Sequence, residues 1–238
     1  MSLIELAASL VPTGLKLPIL GGPLRGCRWI AGAAAGCGKG LSVVLHRAER
    51  QQLELARSWV TPQSVCFDIG ANVGLYTLLF GRYGGRVVAF EPLPRNLQYL
   101  SRTVEINRLR NVTIVPWAVS DKVELSRFEL GENCALGRLG GGGTQPVACV
   151  SVDEFINRYG LVPDVMKIDV EGAEAAVLAG CGRLFQRRRP RILLSVHSAD
   201  LRRQCLDVLA AAGYRHFQPL EARTVESAME LAVAADIP

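Results

Sequence analysis

Four residues whose side chains can do chemistry stand at or beside the ends of short apolar runs: Asp68 in VCFD, Glu91 in VVAFE, Asp169 in VMKID and His197 in LLSVH. A buried strand that finishes on a polar group without a partner carries a large desolvation cost, so four such endings point to a shared site. In an open parallel sheet a ligand sits beyond the carboxyl ends of the strands, where the strand order reverses. Lys167 precedes Asp169 by two residues, and the period of a strand places both on one face. An ammonium buried in a central sheet needs an anion, and Asp169 or Asp68 is the nearest on offer, so Lys167 is expected to form an ion pair that positions the acid.

The first of these acids runs into a turn, FDIGANVGLYTLL. A dinucleotide-binding turn has Gly-x-Gly-x-x-Gly and rests a diphosphate on the amides that open the next helix. Here those places hold Gly70, Asn72 and Leu75, and Asp68 would repel a diphosphate. The same carboxylate attracts a cation. S-adenosylmethionine offers an ammonium and a sulfonium to Asp68, a carboxylate to the helix amides, and a ribose diol to Glu91. That acid stands seventeen residues after Gly74, at the tip of the next strand, where acids bind ribose in dinucleotide folds.

Elements that could hold these residues in place follow from residue 64 onward. Apolar runs at SVCFDI, RVVAFE, NVTIVPWAV, DVMKIDV and RILLSVH alternate with helical patterns at residues 74–80, 95–107, 174–179 and 201–211. Such alternation predicts an α/β fold, a parallel sheet with helices on both faces. YRHFQPL and MELAVAADI, separated by the polar EARTVES, predict a closing hairpin with one antiparallel strand. The interval between the third and fourth runs is about 45 residues, too long for an ordinary connection. Within it VELSRFEL and VACVSV could pair across GRLGGGG. SVDEF has the Ser-x-x-Glu spacing of a capping box, so Ser151 and Glu154 are expected to start a helix.

Residues 1–60 read as an appendage to a domain over residues 61–238. Ser2 to Leu10 predicts a short amphipathic helix, the glycine-rich stretch over residues 21–40 a strand-and-turn segment or flap, and LHRAERQQLELARSWV a helix closed by Pro62.

FDIGANVGLYTLL, VVAFEPLPRN, the asparagine of VEIN, AVSD and above all MKIDVEGAEAAVLAG resemble the FkbM-type S-adenosylmethionine-dependent methyltransferases. The resemblance covers about residues 64–200. It implies a Rossmann-like class I methyltransferase fold with a seven-stranded sheet, and methyl transfer to a hydroxyl of a sugar or natural product. Residue by residue, it places the cofactor loop on Asp68, Gly70, Ala71, Asn72 and Gly74, the ribose acid on Glu91, and the adenine wall on Ala118, Val119 and Ser120. The block after the fourth strand falls on Lys167, Asp169, Glu171 and Glu174. Many members carry a glutamate in the fifth strand where this chain has Ser195, so a role built on that acid does not transfer. If the sheet has the family order, Asp169 and His197 end adjacent strands. His197 is then the candidate proton acceptor, with Asp169 orienting the acceptor or the methionine end of the cofactor.

Asp169, Glu171 and His197 are also donors of a kind that magnesium or manganese takes. No spacing compels a metal, and acids at 171 and 174 already have a reason in the helix dipole.

Other classes fit less well. A nucleobase amine methyltransferase ends its fourth strand in Asn or Asp, two prolines and an aromatic, whereas this chain has DVEG. A binding module without catalysis would keep the glycine turn and lose Asp169 and His197. The formal charge of +5 permits an anionic partner without demanding one. The densest basic run, RRRPR at Arg187 to Arg191, reads as a solvated loop, which argues against nucleic acid and leaves a small-molecule or glycan hydroxyl as the expected acceptor. Seven cysteines with no Cys-x-x-Cys suggest a reducing, cytoplasmic setting. The first twenty residues, broken by Glu5, Pro12 and Lys16, make neither a signal peptide nor a membrane span.

Overall fold

The computed structural model describes residues 14–33, 39–130, 137–139, 143 and 145–235. A short hairpin, β1 (Lys16–Pro18) and β2 (Arg28–Ile30), leads into helices α1 (Lys39–Val44) and α2 (Arg50–Trp59). The alternating part follows as β3 (Val65–Ile69), α3 (Leu75–Tyr83), β4 (Arg86–Phe90), α4 (Pro94–Ile106) and β5 (Val112–Val115). Then come β6 (Ala118–Val119), β7 (Glu124–Leu130), β8 (Gly137–Leu139), β9 (Gln145–Val150) and α5 (Val152–Tyr159). The chain goes on through β10 (Val165–Ile168), α6 (Glu174–Ala179), α7 (Gly182–Arg187), β11 (Arg191–Ser195) and α8 (Ala199–Ala211). It closes with β12 (His216–Leu220), a single 3-10 turn at Val225–Ser227 and β13 (Glu230–Ala234).

Seven strands form one sheet in the order β12-β13-β11-β10-β3-β4-β5. Only β13 runs against its neighbours, as the terminal apolar pair predicted. The chain winds outward from β3 to β5, then restarts at β10 on the other side of β3. The switch point therefore lies between β3 and β10, which carry Asp68 and lead into Asp169.

The strands bury both faces, so they read as near-continuous apolar runs. Phe67, Ile69, Phe90, Met166, Ile168 and Leu194 pack under α5 to α8, with Phe155 edge-on to Phe67 and Phe90 at 5.6 and 5.0 Å. On the other face Cys66, Val87, Val165 and Leu193 share one buried cluster with α3 and with Trp29, Ile30, Leu53 and Ala56. Residues 19–33 and 39–60 thus roof one side of the sheet. Asn107, the asparagine of VEIN, holds that roof: its Oδ1 accepts from Arg28 N at 2.8 Å and its Nδ2 donates to Arg28 O at 2.9 Å.

The structure departs from the sequence reading in several places. NVTIVPWAV is two strands, because Pro116 offers no N–H to a ladder and the chain turns there. Its second half, β6, joins β9 in a separate four-stranded sheet of order β6-β9-β7-β8. The expected pairing of β7 with β9 forms, but Gly137–Leu139 is itself a strand against β7 rather than a joint. Helices α1 and α7 were not expected. Ser2–Leu10 and Gly140–Gly142 lie outside the described residues.

Ser151 caps α5 as its spacing predicts, accepting from Glu154 N at 3.2 Å. Ser151→Ala is expected to cost about 1 kcal/mol, read as a lower denaturant midpoint with an unchanged slope.

Candidate active site

The turn after β3 is tight for a structural reason. Gly70 has φ +80, and a Cβ there would stand 1.8 Å from Asp169 O, so only glycine lets the β3 and β10 loops meet. Gly70 N and Ala71 N both donate to Phe90 O, at 3.0 and 2.9 Å, which ties the turn to the end of β4. Asn72, at φ 50, donates its N–H to Glu91 Oε2 at 2.8 Å. Glu91 Oε1 accepts from Leu93 N at 2.9 Å and from Asn96 Nδ2 at 3.3 Å. Burial pushes the Glu91 carboxyl up from its ordinary range, and these hydrogen bonds pull against that rise. A carboxylate offers about four lone-pair sites, so Glu91 keeps acceptor capacity beyond these three bonds. Ala118 packs in a small buried cluster with Leu93, which puts β6 beside the Glu91 corner. Val119 and Ser120 are buried next to it.

A second group of polar residues lies on the sheet face that carries Cys66 and Leu193. Lys167 is the register partner of Asp68, and Ser195 is the partner of Glu230 on β13. Lys167 is 2% exposed. Its Nζ lies 3.3 Å from Asp169 Oδ2 and 3.5 Å from Glu230 Oε2, and it donates to Ser195 Oγ. Ser195 Oγ in turn donates to Glu230 Oε1 at 2.7 Å. Burial works against the ammonium, but Asp169, Glu230 and Glu49 together hold it above the ordinary lysine range. Beneath it Tyr76 presents its ring at 5.1 Å and donates its hydroxyl to Glu49 Oε2 at 2.7 Å.

Asp68 is 1% exposed and accepts from Thr77 Oγ1 at 2.5 Å. Burial pushes its carboxyl up to about 7, against the pull of Thr77 and Lys167. It therefore sits under the glycine turn rather than open to the mouth.

His197 follows β11 at the rim. Its Nε2 is 3.1 Å from Asp169 Oδ1 and 3.4 Å from Glu174 Oε1, and its Nδ1 is 3.5 Å from Glu171 Oε2. The hydrogen bond to Asp169 raises the imidazole to about 9, against partial burial and with help from the Glu171 and Glu174 charges. For Asp169, burial alone would raise the carboxyl; Lys167 and His197 outweigh it and hold it well below the usual range. Glu174 is fully buried and staples the loop, its oxygens accepting from Val170 N at 3.1 Å and from Gly172 N at 3.1 and 3.2 Å. Ligand atoms of Asp169, Glu171 and His197 all lie within 4.8 Å of one another, a spacing that could hold a metal ion.

Two clusters thus assemble along the carboxyl ends of the strands, with Gly70 against Asp169 between them. Asp68, Lys167, Asp169 and His197 meet at one end, and the Gly70–Gly74 turn, Glu91 and Ala118–Ser120 run along the other. The sequence reading missed Thr77, Tyr76, Glu49 and Glu230. Glu230 brings an acid from the neighbouring strand to Ser195. Its signal was an apolar run that begins on an acid.

Seven strands in this order with one reversed, a glycine turn after the central strand and an acid ending the next define a Rossmann-like methyltransferase fold. Residues 68–216 match the methyltransferase FkbM domain, and the chain belongs to that family. Among solved structures it is similar to methyltransferase FkbM from Methylobacillus flagellatus KT, at 17% identity and TM-score 0.52. The match covers 85% of this chain and 56% of that one, so this chain spans little more than half of that protein. Precorrin-6y C5,15-methyltransferase from Geobacter metallireducens GS-15 matches at 16% identity and TM-score 0.51, over 78% of this chain and 88% of that one. An rRNA methylase from Streptococcus thermophilus matches at 10% identity and TM-score 0.51, over 79% and 95%. These identities bear on the fold alone. No curated protein matches the chain significantly. Among the described residues, no helix is long and apolar enough to cross a membrane.

Proposed function

We propose that the protein transfers the methyl group of S-adenosylmethionine to a hydroxyl oxygen of a sugar or natural-product small molecule. The observation that carries this reading is His197 set among Asp169, Glu171 and Glu174 at the rim, beside the turn that Gly70 folds against Asp169. When bound, S-adenosylmethionine supplies an electrophilic methyl group on a sulfonium. The chain's part is to hold the acceptor in line and take its proton. Positioning alone supplies about 7–11 kcal/mol in well-oriented reactions, and a base adds about a hundred- to ten-thousand-fold.

In this reading Gly70, Ala71, Asn72 and Gly74 line the cofactor turn, Glu91 accepts from the ribose diol, and Ala118, Val119 and Ser120 flank the adenine. Asp68, from under the turn, and Asp169, at its edge, supply negative charge toward the cationic end. Asp169 also orients the acceptor, Lys167 fixes Asp169, and His197 takes the proton. The acids around His197 suit a neutral hydroxyl acceptor and repel a carboxylate or phosphate.

Methyl-labelled S-adenosylmethionine, offered with panels of hydroxyl and amine acceptors, tests this assignment. Label recovered on oxygen is expected; label recovered only on nitrogen or carbon contradicts it. The clustered ligand atoms of Asp169, Glu171 and His197 favour a second reading, a divalent cation at the rim. Under that reading EDTA abolishes turnover and magnesium or manganese restores it, whereas under the first EDTA has no effect.

Glu91→Ala is expected to weaken S-adenosylmethionine binding by about 1–3 kcal/mol, as for a charge-assisted hydrogen bond. Calorimetry on the two proteins gives the difference directly.

A further inference from the structure

A cavity of about 700 Å³ opens at the opposite end of the sheet, lined among others by Trp59, Ser64, Asp164, Arg188, Arg189 and Arg191. Val65, Val165 and Arg191, the first residues of β3, β10 and β11, lie in its wall. These are the strands that lead to Asp68, Asp169 and His197. At about 3.3 Å per residue the cavity lies on the order of 13 Å behind the candidate active site, and methyl transfer makes no use of it.

Residues 188–191 of the basic run RRRPR line it, and their backbone is held rather than loose. Arg188 N donates to Leu184 O at 2.7 Å and Arg191 N to Asp164 O at 3.0 Å, while the buried Pro190 accepts from Tyr214 Oη at 2.8 Å. Arg187 has an ordinary reason to be basic, since it lies in the last turn of α7. Arg188 caps the end of α7 and pairs with Asp164, and Arg189 reaches the C-terminal carbonyl of α8, but Arg191 opens a strand and has no such role. Asp164 is the one carboxylate among the lining residues, and it is committed: Oδ1 accepts from Arg188 and Oδ2 from Val65 N at 2.8 Å. Arg189 uses Nε on Ala212 O at 2.6 Å, and its terminal nitrogens have no hydrogen-bond partner among the described residues. The half-buried Arg191 guanidinium meets only the Trp59 ring there, 5.7 Å from its centroid. Two exposed guanidiniums and one half-buried one, against a single carboxylate, leave an excess of positive charge in a concave place.

We propose that this cavity binds a small phosphate-bearing molecule of nucleotide or sugar-phosphate size, with Arg189 and Arg191 holding phosphoryl oxygens and Trp59 forming a flat apolar wall. A guanidinium fork matches phosphate oxygens in geometry as well as charge. The volume falls in the usual range for a small-molecule pocket. A nucleic-acid backbone calls instead for a basic stripe along an outward surface. The inference is independent of the methyl-transfer reading and stands or falls without it.

Sodium tripolyphosphate, titrated into the whole chain at constant ionic strength and followed by calorimetry and tryptophan emission, tests it. Saturable one-site binding with a change in emission is expected. Arg191→Gln and Arg189→Gln should each weaken it by about tenfold or more, while Arg102→Gln, an exposed arginine on α4, leaves it unchanged. If Arg191→Gln does not fold, as judged by its melting curve, Arg189→Gln decides. Absence of saturable binding overturns the proposal, as does an equal loss in Arg102→Gln. Binding of a short single-stranded RNA where tripolyphosphate does not bind also overturns it, in favour of a surface for polymer.

Discussion

Lys167→Met is expected to lose about 3–5 kcal/mol of folding stability, the cost of removing one partner from a buried ion pair. The side chain that replaces the ammonium fits the space. What is lost is the only cation within reach of both Asp169 and Glu230 among the described residues, at 3.3 and 3.5 Å. Glu230 would then be left without a counter-charge and Asp169 with His197 alone, and Tyr76 with Glu49 would lie under a neutral chain. Because Asp169 also holds His197, turnover should fall with stability. A double variant, Lys167→Met with Glu230→Gln, removes one of the stranded charges and should recover part of the loss. Melting within experimental error of wild type would mean that the pair is not held as described.

His197→Ala is expected to lower turnover by about a hundredfold or more while leaving S-adenosylmethionine affinity nearly unchanged. Asp169→Asn should disturb both, since that carboxylate is shared between Lys167, His197 and the loop that meets Gly70. The pH dependence sharpens the test. Only the neutral imidazole can take a proton, and with the group raised to about 9, roughly one part in a hundred is neutral at pH 7. In the free enzyme kcat/KM should therefore climb with pH until about 9. A sulfonium nearby disfavours the imidazolium, so kcat, which reports the bound complex, should level off at a lower pH. Stability moves the other way. The imidazolium's contribution is complete below its ordinary 6.5 and is lost as pH rises through about 9, so the wild-type Tm should fall across that window and that of His197→Ala should fall less. An unaltered pH profile in the histidine variant would remove His197 from the role of base.

Most of the sheet was legible because its strands are apolar runs, four of them (β3, β4, β10 and β11) closed by or leading into a polar residue, and the two-residue period put Lys167 and Asp169 on one face. The hairpin of β12 and β13 was legible because nothing helical separates its runs. Hydropathy carries no register, however, so the meeting of Ser195 with Glu230, thirty-five residues on, could not be read from it. The contacts of His197 with Glu171 and Glu174 depend on positive φ at Glu171 and Gly172, which fold the loop back toward β11. The resemblance gave the glycines after Asp68 to the cofactor loop. Gly70 first makes room for the chain itself, at Asp169 O. The first sixty residues gave the weakest signal, since glycine-rich sequence has no period. The roof made by residues 19–33 and 39–60 rests on scattered anchors such as Trp29, Ile30 and Leu53.

The central claim is that the turn at Gly70–Gly74 and the acid at Glu91 form a site for S-adenosylmethionine. Titration calorimetry with S-adenosylhomocysteine and, separately, with NAD tests it most directly. The account predicts one-site micromolar binding of S-adenosylhomocysteine, weakened in Glu91→Ala, and no heat with NAD. Preferential binding of NAD, or S-adenosylhomocysteine binding untouched by loss of Glu91, would contradict it.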